Sequence, residues 1–140
     1  MKMRIKGNSL RLRVSRSEVT RLLKQERLEE TIHFAPEAGA TLIYALEQSP
    51  AVDAPTTRYS NNSVTVLVPI GQARTWCITD QVGIEKDITL GRFGTLHLLI
   101  EKDFACLDRS DEENEDTFAN LGADPVCRMP AIRFETRLYK

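Results

Sequence analysis

Aromatic residues are scarce: Phe, Tyr and Trp make up 6% of the 140 residues, with a single Trp. None of them interleaves with the basic residues, which argues against proteins that stack RNA or single-stranded bases. Net charge is also nearly absent, at −1. That argues against non-specific nucleic-acid binding by the whole molecule and leaves room only for a local basic site. The three cysteines, Cys77, Cys106 and Cys127, are odd in number and lack a CxxC spacing, so a disulfide framework is not expected and reduced thiols are. No stretch approaches the ~18 apolar residues of a membrane helix. The N-terminal apolar residues alternate with charges, where a secretory signal needs a continuous run of about 7–15. A cytoplasmic protein without membrane attachment is the expectation. No P-loop, GxGxxG, HExxH or GxSxG occurs, so no catalytic motif is available to name a reaction.

What is present is an uneven distribution of charge. Residues 1–27 hold nine Lys and Arg against two Glu, a net of +7, so the remainder sums to −8. The cations are patterned. Lys2, Arg4 and Lys6 alternate with Met3 and Ile5, and Arg11 and Arg13 alternate with Leu10, Leu12 and Val14. Period two means one apolar and one basic face. Gly7-Asn8 between the runs predicts a tight hairpin turn. Pairing across it sets Lys6 against Ser9, Ile5 against Leu10, Arg4 against Arg11, Met3 against Leu12 and Lys2 against Arg13. A slip by one residue would carry charge into the core. The same register stacks Arg4 on Arg11 and Lys2 on Arg13, a repulsion that calls for an anionic partner.

Ser15 and Glu18 make an S-x-x-E capping pattern, and Val19, Leu22 and Leu23 follow at helical spacing, predicting a short amphipathic helix to about Glu26. Strands are predicted over Leu28–Phe34, over Ala40–Glu47, whose Ala and Leu content also allows a helix, and over Val64–Val68, the last preceded by an Asn61-Asn62 turn and stopped by Pro69 and Gly71. One helical turn is placed at Gln72–Cys77, short strands at Val82–Ile84 and Asp87–Leu90, and a clear strand at Thr95–Phe104. Asp108–Asp116 carries six carboxylates and one Arg, and residues 108–124 read as a mobile acidic loop. Ala131–Tyr139 reads as a last strand or docked tail. No internal repeat or second domain is visible. The expected architecture is a single α+β domain, mainly an antiparallel sheet or partly closed barrel, in which the N-terminal hairpin is followed by one short amphipathic helix.

Two blocks carry a family likeness. MKMRIKGNSLRLRVSRSEV (Met1–Val19) and LHLLIEKDFACL (Leu96–Leu107) resemble the signature segments of a family of short bacterial proteins of unknown function. Its pattern is an R-I-K-G-N-S-x-R-x-R start with S-E-V following, and later a V/I-E-K-D-F-x-C-L block. The likeness continues more loosely through Trp76, Val82-Gly83-Ile84 and Glu115-Asp116-Thr117-Phe118. The chain departs from it where relatives run F-P-N-P and this sequence has Phe118-Ala119-Asn120-Leu121. The resemblance implies no activity.

Two clusters are candidate sites. The first is the basic hairpin face. Arg4, Lys6, Arg11 and Arg13, with Asn8 in the turn, have the chemistry of an anion site, because guanidinium forks suit phosphate or carboxylate. The plainer reading is a solvated face, or one neutralised by the protein's own acids. The second lies on the Thr95–Phe104 strand, where alternation aims His97, Glu101 and Asp103 the same way. An imidazole and two carboxylates can hold a metal ion or transfer protons. The plainer reading is ion pairing with the basic hairpin, which would relieve the Arg4/Arg11 repulsion. Cys106, set among acidic and apolar neighbours, and His33, between Ile32 and Phe34, read as packed residues more readily than as a nucleophile and a ligand. The acidic loop lacks the spacing of an EF-hand.

The leading functional reading is a binding or interaction module whose basic strand face meets a small anionic ligand or partner. No cofactor is called for, and charge asymmetry favours a symmetric homodimer. The alternative is a metal-assisted phosphohydrolase-like enzyme with Glu101 and Asp103 on a divalent ion and the hairpin face on the substrate phosphate. Nucleic-acid binding is disfavoured by the missing aromatics.

Overall fold

The alternating runs at the N-terminus form two strands, β1 (Lys2–Lys6) and β2 (Ser9–Val14), in a computed structural model that describes residues 1–105 and 114–119. The chain continues through α1 (Arg16–Gln25), β3 (Arg27–His33), β4 (Thr41–Ser49), β5 (Thr56–Ser60), β6 (Ser63–Pro69), α2 (Ile70–Ile78), β7 (Gly83–Thr89) and β8 (Thr95–Lys102). Cys106, Cys127, the 108–113 and 120–124 parts of the acidic loop and the Ala131–Tyr139 strand lie outside the described residues.

The protein is α+β and mostly sheet. The strands form two four-stranded sheets, sheet 1 in the order β1-β2-β8-β7 and sheet 2 in the order β3-β4-β6-β5. Neither closes into a barrel, and neither is purely antiparallel. Each joins two antiparallel hairpins through a parallel central pair, β2 with β8 and β4 with β6. Period-two patterning reveals which face a residue occupies, not which strand lies alongside, so the parallel centre was not readable. Strands buried on both faces mark it in retrospect, as expected where strands pair in parallel. The residues of β2 are buried except for a half-buried Arg13.

The chain divides into two compact units. The unit of sheet 1 comprises Lys2–Ser17 and the described residues from Gly83 onward. Its hairpin has the register expected, Lys2 with Arg13 through Lys6 with Ser9, turning at Gly7 with φ 54°. That left-handed conformation costs glycine little. Leu12, Ile100 and Ile84 lie in one row across β2, β8 and β7 and are all but fully buried, each contributing roughly 1.5–3 kcal/mol of apolar burial. Residues 114–119 return to this unit. The Phe118 N–H donates to the Asp103 carbonyl at 2.8 Å and Ala105 N–H to the Phe118 carbonyl at 2.7 Å. The Phe118 ring lies 5.8 Å from that of Phe104.

The other unit comprises Met1 and Glu18–Val82. Sheet 2 buries Leu28, Leu46, Val66 and Val68. Helix α2 packs on β4 and β6 through Ala73 and Trp76. This helix is longer than the single turn expected. Pro69 ends β6 but stands immediately before the helix, where a missing N–H costs nothing, and Gly71 is accommodated in the first turn. Trp76, 1% exposed, donates its Nε1–H to the Val82 carbonyl at 3.1 Å. Val19 and Leu22 of α1 are buried, as their spacing predicted. The far end of α1 is tied to β4. The Gln48 side chain donates to the Leu22 carbonyl at 2.7 Å and its backbone N–H to the Glu26 carbonyl at 3.0 Å.

Candidate functional site

The polar face of sheet 1 collects the charged residues singled out in the sequence. Reading across the sheet, one row is Lys2, Arg13, Glu101 and Gly83. The next is Arg4, Arg11, Leu99 and Glu85, and the third is Lys6, Ser9, His97 and Asp87. The face therefore runs from a basic edge on β1 to an acidic edge on β7. This placement follows from alternation within each strand, together with hairpins that present their second strands to each other.

At its centre one carboxylate serves two arginines. Arg11 Nε donates to Glu101 Oε1 at 2.7 Å, an Nη of Arg11 contacts the same oxygen, and Arg13 Nε reaches it at 3.0 Å. Arg11 and Glu101 are buried, while the Arg13 side chain keeps 26% of its surface. Burial lowers the pKa of the Arg11 guanidinium, and the nearby Arg13 and Arg4 charges act in the same direction against the attraction of Glu101. Arg11 and Arg4 face each other directly across β1 and β2, so a third basic residue stands beside the two arginines that share the carboxylate. A second pair, Lys2 Nζ with Asp103 Oδ2 at 3.5 Å, joins an exposed ammonium to a buried carboxylate.

Asn8 belongs to the turn and also fastens it. Its side chain donates to the Thr95 carbonyl at 2.7 Å, and its own carbonyl accepts from His97 N–H at 3.0 Å. The His97 ring meets Asp87 through Nδ1 at 2.8 Å. Of the suggested metal set, Glu101 is thus engaged by arginines, Asp103 by Lys2 and His97 by Asp87. Among the described residues no group of three or more His, Cys, Asp and Glu side chains is placed to hold a metal ion.

Four participants were assigned no role in the sequence reading. Lys102 is buried, with its ammonium 5.3 Å from the centre of the Phe118 ring, a cation–π distance. Glu85 and Asp87 complete the acidic edge; period-two alternation in Gly83–Thr89 was the available signal. Asp116 occupies the start of α1. Its carbonyl accepts from Arg16 N–H at 3.1 Å and its Oδ1 from Ser17 N–H at 2.9 Å, while the Ser17 hydroxyl donates to Oδ2 at 2.5 Å. Burial acts to raise the Asp116 pKa, but the hydrogen bonds from Ser17 and Ser15 and the Arg16 charge outweigh it and hold the carboxyl below its ordinary value. Glu18, the other half of the expected capping box, meets the Met1 ammonium and Arg21, 3.7 Å away.

No helix among the described residues is long and apolar enough to cross a membrane. Neither the curated proteins nor the solved structures contain a match to the chain. The opening hairpin, the two fastened ends of β2 and β8, and the returning segment all fall within a single family match over residues 1–122, and by that match the chain belongs to the family of unknown function DUF7009.

Proposed function

We propose that the protein is a binding module whose sheet 1 receives a small oxyanion-bearing ligand, a phosphate or carboxylate compound, on Arg4, Lys6, Asn8, Arg11 and Arg13. The observation that carries this reading is the convergence of Arg11 and Arg13 on Glu101 with Arg4 across the strand pair. A carboxylate between two guanidiniums fixes their planes and lowers the entropy lost when a ligand is captured, so Glu101 acts as an internal orienting counter-ion. A planar fork recognises phosphate and carboxylate alike. The positive edge on β1 would draw such a ligand in, more strongly at low ionic strength.

Thermal melts of the full chain with phosphate, pyrophosphate and nucleotides test the proposal. A true ligand at about 100 times its Kd stabilises by about 2.7 kcal/mol, and Arg4→Gln or Arg13→Gln should weaken that response at least tenfold in concentration. If no anion shifts the melt, or if the shift survives both substitutions, the proposal fails.

A further inference from the structure

Among the described residues, the eight strands and two α-helices read as the same five elements written twice: β1, β2, α1, β3, β4, then β5, β6, α2, β7, β8. Their first residues go from 2 to 56, from 9 to 63, from 16 to 70 and from 41 to 95, a constant offset of 54. Strand β3 alone is offset by 56, from 27 to 83, and the connection after it, 34–40 against 90–94, returns the count to 54. The pairings repeat with the elements. Lys2 with Arg13 recurs as Thr56 with Leu67, Ser9 with His97 as Ser63 with Ile43, and Arg27 with Glu47 as Gly83 with Glu101. Even single hydrogen bonds have counterparts. His97 N–H to the Asn8 carbonyl at 3.0 Å matches Ile43 N–H to the Asn62 carbonyl at 2.9 Å. Equivalent positions are buried alike: Leu12 and Val66, Val14 and Val68, Leu22 and Trp76, Leu28 and Ile84, Leu46 and Ile100. Arg4 and Arg58, Asn8 and Asn62, and Glu47 and Glu101 are identical.

We infer that the chain is a tandem duplication of one ββαββ unit, and that the charges on the central strands of sheet 1 are a binding specialisation laid over a scaffold that does not need them. The second half of the inference rests on the anion-binding reading above. Its evidence is the other sheet. Buried Arg11, Lys102 and Asp103 and half-buried Arg13 correspond to Thr65, Gln48, Ser49 and Leu67, which are buried and neutral. The same strand pairing is therefore built with these four positions neutral, Glu47 being the one charge that β4 and β6 carry. Buried ion pairs are costly, and their replacement by neutral residues is often neutral or stabilising, so retaining them in one copy points to chemistry. The shared glutamate shows how the copies diverged. Glu47 is bound by Arg27, directly across β3 and β4, at 2.8 Å. The equivalent of Arg27 is Gly83, where a Cβ would lie 2.9 Å from the Ile100 carbonyl oxygen. With that side closed to a cation, Glu101 takes its counter-charges from β2 instead.

The test installs the neutral solution in sheet 1 of the full chain: Arg11→Thr and Arg13→Leu, copied from Thr65 and Leu67, with Glu101→Gln so that no carboxylate is stranded. The triple variant should fold, with circular dichroism like the wild type and a Tm no more than about 5 °C lower, and should lose at least tenfold in pyrophosphate affinity. A variant that is unfolded or melts tens of degrees lower overturns the inference, because the charges are then scaffold. A variant that folds and binds pyrophosphate as the wild type does overturns the specialisation. A wild type without any pyrophosphate response overturns the binding half together with the proposed function, while the melt of the variant still decides whether the scaffold needs the charges.

Discussion

Arg11 Nε lies 2.7 Å from Glu101 Oε1, and Arg13 Nε lies 3.0 Å from the same oxygen. The carboxylate compensates two cations while its own side chain is only 8% exposed. Removing one member of a buried ion pair leaves the other desolvated and uncompensated, at a cost of about 3–5 kcal/mol. Glu101→Gln should therefore lose about 3 kcal/mol in urea denaturation, the lower end because Arg13 remains partly hydrated. Adding Arg11→Thr and Arg13→Leu to it should restore most of that loss, the sign of a coupled site. Independent, additive losses from the three substitutions would show that the pairs are screened by solvent.

Asp116 gives the start of α1 an acid-sensitive attachment. Its carboxyl is held below the ordinary value of 3.8. A depressed carboxylate contributes stability that is fully present above the unfolded-state pKa and is lost as pH falls through the folded-state pKa. The contribution should thus be constant across the neutral range and decline only below pH 3.8. Asp116→Ala should cost about 1 kcal/mol at neutral pH, the usual value of a side-chain cap lost from a helix start, and the gap between variant and wild type should narrow in acid. Urea titrations of both proteins across that range measure it; a gap that widens on acidification contradicts the assignment.

The legible parts of the fold were those set by local pattern. The β1–β2 register could be read residue by residue because Gly7-Asn8 separates two alternating runs and fixes the turn, and a pairing shifted by one residue buries charge. The helix at Arg16–Gln25 and the strand at Thr95–Lys102 followed from periodicity in the same way. The division into two sheets did not, because face and partner are separate questions. The duplication was hidden for a related reason. Its buried positions exchange Leu for Val, Leu for Ile and even Leu22 for Trp76, which preserves burial and erases sequence identity. In the site, the complementarity of Glu101 and Asp103 to the hairpin could be argued from charge alone. Asp116 could not be connected to Ser17, since 99 residues separate them and no local spacing encodes the contact.

Trp76 is the single tryptophan of the chain and is 1% exposed. Its fluorescence should be blue-shifted in the folded protein and move to the red on unfolding of the unit that holds α2. Trp76→Phe forfeits the bond to the Val82 carbonyl and part of the buried volume, and should cost about 2 kcal/mol by chemical denaturation. An emission maximum typical of solvent-exposed indole in the native protein would contradict the burial of α2 on β4 and β6.

Glu26 stands at the C-terminal end of α1 with φ 65°. Its N–H donates to the Leu22 carbonyl at 3.0 Å, and its carbonyl accepts from Gln48 N–H at 3.0 Å, so the backbone geometry is fastened from both sides. The left-handed conformation costs an L-residue roughly 1–2 kcal/mol, and glycine avoids this penalty. A carboxylate beside the negative end of the helix adds a few tenths of a kcal/mol of repulsion. Glu26→Gly should therefore stabilise the protein by about 1 kcal/mol despite the added freedom of the unfolded chain. Glu26→Gln isolates the charge and should gain only a few tenths, whereas Glu26→Val, β-branched at a positive φ, should lose about 1 kcal/mol or more. Urea midpoints for the three variants should fall in the order Gly, Gln, Val from most to least stable. A valine variant as stable as the glycine one would mean that the turn relaxes out of the left-handed region once the side chain is changed.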